Sequence, residues 1–435
     1  MGALGDLLAD GIPQNVGQQM HDDMAALFPI PRSITGPGVR TTLDQVADRL
    51  PLTRHEVPSG TQVYDWTVPH EWSVRDAFIA TPEGRRIVDF QQLNLHLVAY
   101  SRPVDATMTL AELQPHLHSL PEQPELVPFR NTYYSDSWGF CLSHSVRQQM
   151  PDDVSYRVVV DTSLEPGSLT YGECVLPGQV EDEVLLSTHV CHPSMANDNL
   201  TGIVLQTALG QILSRVDRRL TYRLVFVPGT IGSLVWLSRN EERLTHIKHG
   251  LVLTGLGGPG PLVYKRSRHG RRVVDRAAQL VVGPVGELRD FSPWGYDERQ
   301  YNSPGFDLPV GRLSRTPHGE YPEYHTSGDN LSLVTPGALE SALTAVVEIL
   351  RLLESEATYL SQSPYGEPSL GKRGLYPSIG GQHAQDSVMA MLWMLNQSDG
   401  AHSLLDVAER SGVDVRLLCD AASCLLDAGL LATEE

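Results

Sequence analysis

Apolar and polar positions fall into a regular rhythm from Tyr156 onward. YRVVVDT and LTYGECVL read as paired strands. EVLLSTHV is the near-continuous apolar run expected of a strand covered on both faces. A polar loop, the helical stretch GIVLQTALGQILSRV, the strand YRLVFVP, the helix LVWLSRNEERL and the strand GLVLTGL follow in order. Val273 to Leu280 and Gly337 to Leu353 add helices, the second with a long apolar stripe. Strand–loop–helix alternation of this kind predicts an α/β sandwich, in which ligands gather at the carboxyl ends of the strands.

The flanks have a different texture. Met20 to Leu27 and Thr41 to Leu50 carry helical spacing on either side of PIPRSITGPG, a Pro/Gly-dense turn. From about Glu56 to Phe140, short apolar runs with frequent Pro, Gly and aromatics predict a small β-rich module with a brief helix at Thr109 to Leu117. Beyond the linker SPYGEPSLGKRGLYPSIGG, three helices and a short tail are expected. There SLLDVAERSGVDVRLL has helix–turn–helix spacing, with Gly412 as a helix C-cap.

Charge narrows the range of partners. The 435 residues hold 33 Lys and Arg against 52 Asp and Glu, a net −19 that repels phosphate backbones and anionic lipid. Beyond Ala384 the only basic residues are Arg410 and Arg416, so the helix–turn–helix reads as a packing or dimerisation module rather than a DNA reader. No apolar run reaches bilayer length, and Asp6 and Asp10 interrupt a leader that lacks a basic start. Five scattered cysteines without a CxxC pair fit a reducing, cytoplasmic setting.

Three polar clusters stand out. In STHVCHPSMANDNLTG, His189, Cys191, His192 and Asp198 follow an apolar strand, and imidazole with carboxylate is a zinc-type donor set. The alternative is that Asp198 or Asn199 simply caps the helix beginning near Thr201. In EYPEYHTSGDN, Asp329 is expected to accept from the imidazole of His325 and orient it. The loop Phe291 to Arg315 reads as a substrate wall with Asp297, Glu298, Arg299 and Tyr301 turned inward, or else as a surface loop. GxSxG, Walker and HExxH patterns are absent.

LFPIPRSITGPGVR, EVPSGTQVYDWTVPHEW, YYSDSWGFCLSH, STHVCHPSMANDNLTG, PGTIGS, YKRSR, GYDERQY and EYPEYHTSGDN together carry a resemblance over nearly the whole chain. The chain resembles bacterial aminopeptidase-like proteins with a C-terminal winged helix, within the zinc leucyl-aminopeptidase and glutaminyl-cyclase superfamily. The resemblance implies an α/β fold: a mixed sheet with helices on both faces, an inserted β-rich domain and a winged-helix domain. It implies domain limits of 1–60 with 141–365, 61–140, and 370–435. It matches His189 and His325 to histidine ligands and Asp198 to a metal-bridging carboxylate, with His192 as a substitute ligand. Gly229, Gly257 and Gly258 stand where the superfamily's acids would be expected, so one zinc ion is expected rather than two. Glu298, Glu320 and Glu323 are then the carboxylates available as general base, Glu298 and Glu323 foremost. Arg299, Tyr301 and Tyr324 are the expected substrate contacts. The expected activity is hydrolysis of an amide or peptide bond in a small peptide or amide-containing metabolite. The alternatives are a mononuclear enzyme tailoring a small metabolite and a non-catalytic scaffold. Neither nucleic acid nor membrane is expected as a partner, and a homo-oligomer is left open.

Overall fold

The computed structural model describes residues 12–375 and 382–433. The N-terminal segment read for a leader and the end of the Pro/Gly linker lie outside the described residues.

An eight-stranded sheet forms the centre. Its strands run in the order Thr53–Pro58, Ser168–Leu176, Thr221–Val227, Glu183–His189, Ile247–Leu253, Val310–Ser314, Val263–Lys265, Glu287–Arg289. The four middle strands are parallel, and every residue of Glu183–His189 is buried, as its unbroken apolar run requires. Side-chain alternation divides the core in two. Leu186, Leu224 and Leu251 face the layer that contains helices Val16–Leu27, Thr201–Leu213, Val273–Val282 and Pro336–Ser355. Leu185, Val225 and Val252 face the opposite layer, with helix Ile231–Arg239 and the inserted β-rich module. No helix among the described residues is long and apolar enough to cross a membrane.

Two expectations need correction. YRVVVDT and LTYGECVL do not pair with each other. Ser155–Glu165 instead lies between Glu71–Ala80 and Val104–Thr109 in a four-stranded sheet, and Ser168–Leu176 joins the central sheet. Alternation tells a strand which face to bury but not which neighbour to choose. A module drawn to end at Phe140 therefore omits its longest strand, and the chain changes sheets at Pro166–Gly167. The second correction is at the C-terminal end. Thr358–Ser361 is the middle strand of a sheet with Asp399–Ser403 and Leu431–Thr433, so that unit starts ahead of 370 and contains strands as well as its three helices.

The C-terminal helix–turn–helix follows its local signals. Ser403 and Asp406 form a reciprocal capping box at the start of Leu404–Ser411, and Gly412 ends it with φ +65°. Leu404, Val407 and Leu418 share one buried core with Leu343, Val346 and Leu350 of the long helix Pro336–Ser355. Arg276 also bridges to Asp406 at 2.7 Å and Glu409 at 2.8 Å.

Candidate metal centre

The strand Glu183–His189 ends at His189, whose Nε2 lies 2.8 Å from Asp198 Oδ1. The second oxygen of Asp198 faces His325 Nε2 at 3.1 Å and His192 Nε2 at 3.9 Å. The ligating atoms of His189, His192 and Asp198 all lie within 4.8 Å of one another. The residue offered by sequence as a substitute thus stands in the tightest group, and His325 comes to it across the Asp198 carboxylate. Three imidazoles around one carboxylate could hold a metal ion.

The capping alternative for Asp198 and Asn199 fails, because helix Thr201–Leu213 starts without any side-chain cap hydrogen bond. Asn199 donates to Thr188 Oγ1 at 2.8 Å and accepts from the Gly255 N–H at 3.2 Å, while Asn197 accepts from the Gly257 N–H at 3.0 Å. The Asn-Asp-Asn run therefore ties the loop to two strand ends and leaves the Asp198 carboxylate free for the histidines. Asp329 does not take the orienting role read for it at His325. Its carboxylate accepts from the N–H groups of Asn197 at 2.6 Å and Asp198 at 3.0 Å, and from Tyr321 Oη at 3.0 Å. It supports the central acid through the backbone.

Distant motifs complete the frame. Arg32 of PIPRSITGPG is buried and donates from Nε to the His192 carbonyl at 3.0 Å and from Nη1 to the Leu27 carbonyl at 2.7 Å. His325 sits at φ +54°, a region that disfavours a side chain. The β-rich module holds it there: the Phe129 N–H donates to the His325 carbonyl at 2.7 Å, and the Ser327 N–H to the Val127 carbonyl at 2.8 Å. Tyr324 stacks on the His325 ring with centroids 3.9 Å apart, and Tyr296 stacks on His189 at 4.5 Å.

Burial sets the charge states. It pushes the His192 imidazole down to about 3, which favours the neutral form that binds metals. Burial also acts to raise Asp198, but His192, His189 and His325 outweigh it and hold the carboxyl well below its usual range. Asp329 is raised to about 7 by burial and by the charge of Asp198. Asp297 is raised to about 6 by burial, against the pull of His189 and Ser233.

The glycine positions are informative. A Cβ at Gly258 would meet Thr316 Oγ1 at 2.2 Å, and one at Gly257 would meet Val334 Cγ1 at 2.4 Å. An acid at either position would have to displace these side chains. Gly229 differs: its Cβ would stand 3.1 Å from His189 Cβ and 3.6 Å from Asp297 Oδ1. The carboxylate of Asp297 thus lies next to the space a side chain at 229 would enter.

The other residues singled out by sequence scatter. Glu298 is fully enclosed, bridged to Lys265 Nζ at 3.0 Å and Arg312 Nη1 at 3.3 Å, and does not line the open cleft. Tyr301 is also enclosed and shares a hydrogen bond with Ser187 at 2.9 Å. Glu320 is paired with Arg289, and Glu323 is absent from the cleft wall. Arg299 and Tyr324 do line the cleft, beside His192, His325, Gly229 and Tyr296. Sequence reading placed Asp297 on the substrate wall but not among the candidate bases, and did not single out Tyr296. Their neighbouring positions within one loop carry no periodic signal that separates them. A larger groove of about 850 Å³ lies in the C-terminal unit, without a His/Cys/Asp/Glu metal cluster among its described residues, so the histidine cluster and not size marks the site.

Comparison with known proteins agrees with this architecture. Residues 21–356 match the family described as a domain of unknown function (DUF4910), and residues 357–433 match a winged helix-turn-helix. The Clostridium acetobutylicum protein named "Putative polysaccharide biosynthesis protein with aminopeptidase-like domain" is 46% identical over 420 residues, covering 95% of this chain and 96% of that one. A crystal structure of a "putative peptidase" from the same organism has a TM-score of 0.93 at 43% identity, covering 99% of this chain and 100% of its own. BSAP, a zinc aminopeptidase from Bacillus subtilis, shares the fold at a TM-score of 0.56 and 12% identity, over 78% of this chain and 95% of its own. By sequence and by fold, this chain belongs to the DUF4910 family of aminopeptidase-like proteins with a C-terminal winged helix.

Proposed function

We propose that the protein is a metal-dependent hydrolase of an amide or peptide bond, with zinc held by His189, Asp198 and His325 and with His192 as a further donor. The observation that carries this reading is the Asp198 carboxylate, which presents one oxygen to His189 at 2.8 Å and the other to His325 at 3.1 Å. Neutral imidazoles and one carboxylate suit zinc in number and hardness. What zinc supplies when bound is Lewis acidity toward an amide carbonyl and toward water. One ion per chain is proposed, since Gly257 and Gly258 supply no anionic ligand for a second and an acid there would have to displace Thr316 or Val334.

Proton transfer falls to this chain's own residues, and Asp297 fits that role better than Glu298 or Glu323. Glu298 is paired with Lys265 and Arg312, whereas Asp297 carries no ion pair among the described residues, its Oδ1 accepts from Ser233 at 2.9 Å and lies 3.6 Å from where a Cβ would stand on Gly229 of the cleft wall. Tyr324 and Arg299 would contact substrate from the cleft wall. A second reading, the tailoring of a small metabolite by amide hydrolysis or cyclisation, is favoured by the relative's naming for polysaccharide biosynthesis. Metal analysis of protein purified without chelator, beside His189→Ala and His325→Ala, tests the centre. About one zinc per parent chain and a loss in both variants is expected, and a metal-free parent would leave a scaffold. A screen of aminoacyl, peptidyl and metabolite amides separates the two enzymatic readings.

A further inference from the structure

The open cleft beside His192 and His325 measures about 260 Å³, and among the described residues no Asp or Glu lines it. That is unexpected in a chain of net charge −19. The nearby carboxylates are withdrawn from it: Asp198, Asp297 and Glu298 are all buried, and Glu298 is paired with Lys265 and Arg312. A free ammonium group entering the cleft would find no carboxylate on its wall. Donors, by contrast, stand ready. Arg299 lines the cleft without an ion pair or side-chain hydrogen bond among the described residues, and its Nε is buried and unpartnered. His318 lines the same wall. Its Nδ1 accepts from Arg312 Nη1 at 3.1 Å, so its proton sits on Nε2, and Nε2 is likewise buried without a partner. Trp294 neighbours both groups, 5.9 Å from the Arg299 guanidinium and 6.1 Å from the His318 ring, and is 71% exposed. Trp66 and Tyr134 of the β-rich module add a second exposed aromatic pair on the cleft wall, with ring centroids 5.4 Å apart.

We propose that this cleft binds a small ring-bearing molecule through an anionic group, carboxylate or phosphate, which accepts from Arg299 and His318 while the ring rests on Trp294. The inference deepens the hydrolase reading by naming the substrate class, and it sets this cleft apart from one built to hold a free amino terminus. Buried, unpartnered donors gain most from a charged acceptor, because each recovers a hydrogen bond it otherwise lacks. An exposed indole supplies a flat apolar surface for a ring.

Calorimetric titration of the full chain after chelator treatment tests this apart from any metal contact. The probes are hippurate, phenyl phosphate, the uncharged hippuramide and the cationic phenylalaninamide. Hippurate or phenyl phosphate should bind on the order of 10- to 100-fold more tightly than hippuramide, with phenylalaninamide weakest. The tighter anion identifies the natural acidic group. Arg299→Gln should erase the preference and Arg299→Lys keep part of it, while Trp294→Ala should weaken all four aromatic probes alike. Phenylalaninamide binding as tightly as hippurate, or a preference that survives Arg299→Gln, would overturn the proposal. Absence of zinc or of turnover sinks the hydrolase reading and leaves this result standing. Hippurate binding that requires zinc and ignores Arg299 does the reverse.

Discussion

An aspartate introduced at Gly258 would have to displace Thr316, whose Oγ1 lies 2.2 Å from the position of the new Cβ. Gly258→Asp should therefore cost about 1–3 kcal/mol of stability, the usual range for overpacking, and should not raise the metal count above one. Urea unfolding with metal analysis checks both. Asp329 offers a pH test. Its carboxyl is raised to about 7, so in the metal-free protein between about pH 4 and 7 the native state keeps a proton that the unfolded chain has released. Stability from this group is present at low pH and falls as pH rises through that window. The drop in unfolding free energy from pH 5 to pH 8 should be smaller in metal-free Asp329→Asn than in the parent. A drop of equal size in both would refute the assignment. At this scale the histidines and Asp198 were readable because each follows an apolar strand or sits in a short polar loop. Asp329 was placed on the wrong partner, since the backbone donors it accepts from, at Asn197 and Asp198, are more than a hundred residues away. Glu298 drew attention for its charge, and only the arrival of Lys265 and Arg312 from other strands turns it into a buried ion pair.

Among the elements, the parallel strands and their helices were legible because burial on both faces leaves an unmistakable apolar run. The strand Ser155–Glu165 was recognisable as a strand but not assignable to a sheet, since its partners are chosen by contacts far along the chain. The C-terminal helices were legible from caps, while the short strands Thr358–Ser361 and Leu431–Thr433 are too brief to carry a pattern. On helix Val415–Asp427, Arg416 is paired with Asp414, and Asp420 and Asp427 are exposed. That surface lacks the cations that drive phosphate binding. Fluorescence anisotropy with duplex DNA should show no salt-sensitive binding at micromolar protein. Tight binding that weakens steeply with salt would contradict this. Arg276→Ala, which removes bridges to Asp406 and Glu409, should loosen the docked unit and speed proteolysis in the segment after Ser361.

Across the whole molecule, the centre is assembled from the central sheet, the Arg32 turn and the β-rich module, so a bound ion would tie together parts distant in sequence. Chelation should lower the thermal midpoint and zinc restore it, the stabilisation amounting to about 2.7 kcal/mol when free zinc reaches a hundred times its dissociation constant. Differential scanning calorimetry would register the shift, and His189→Ala should abolish it. The hydrogen bonds from Phe129 and to Val127 on either side of His325 carry a wider consequence. The module that contributes Trp66 and Tyr134 to the cleft also holds the backbone of a metal-type histidine in a left-handed conformation. A molecule seated in the cleft that Trp66 and Tyr134 help to wall, and an ion seated among the histidines, would then draw on one common piece of order. Such linkage is reciprocal: whatever factor the ion adds to the affinity for that molecule, the molecule must return to the affinity for the ion.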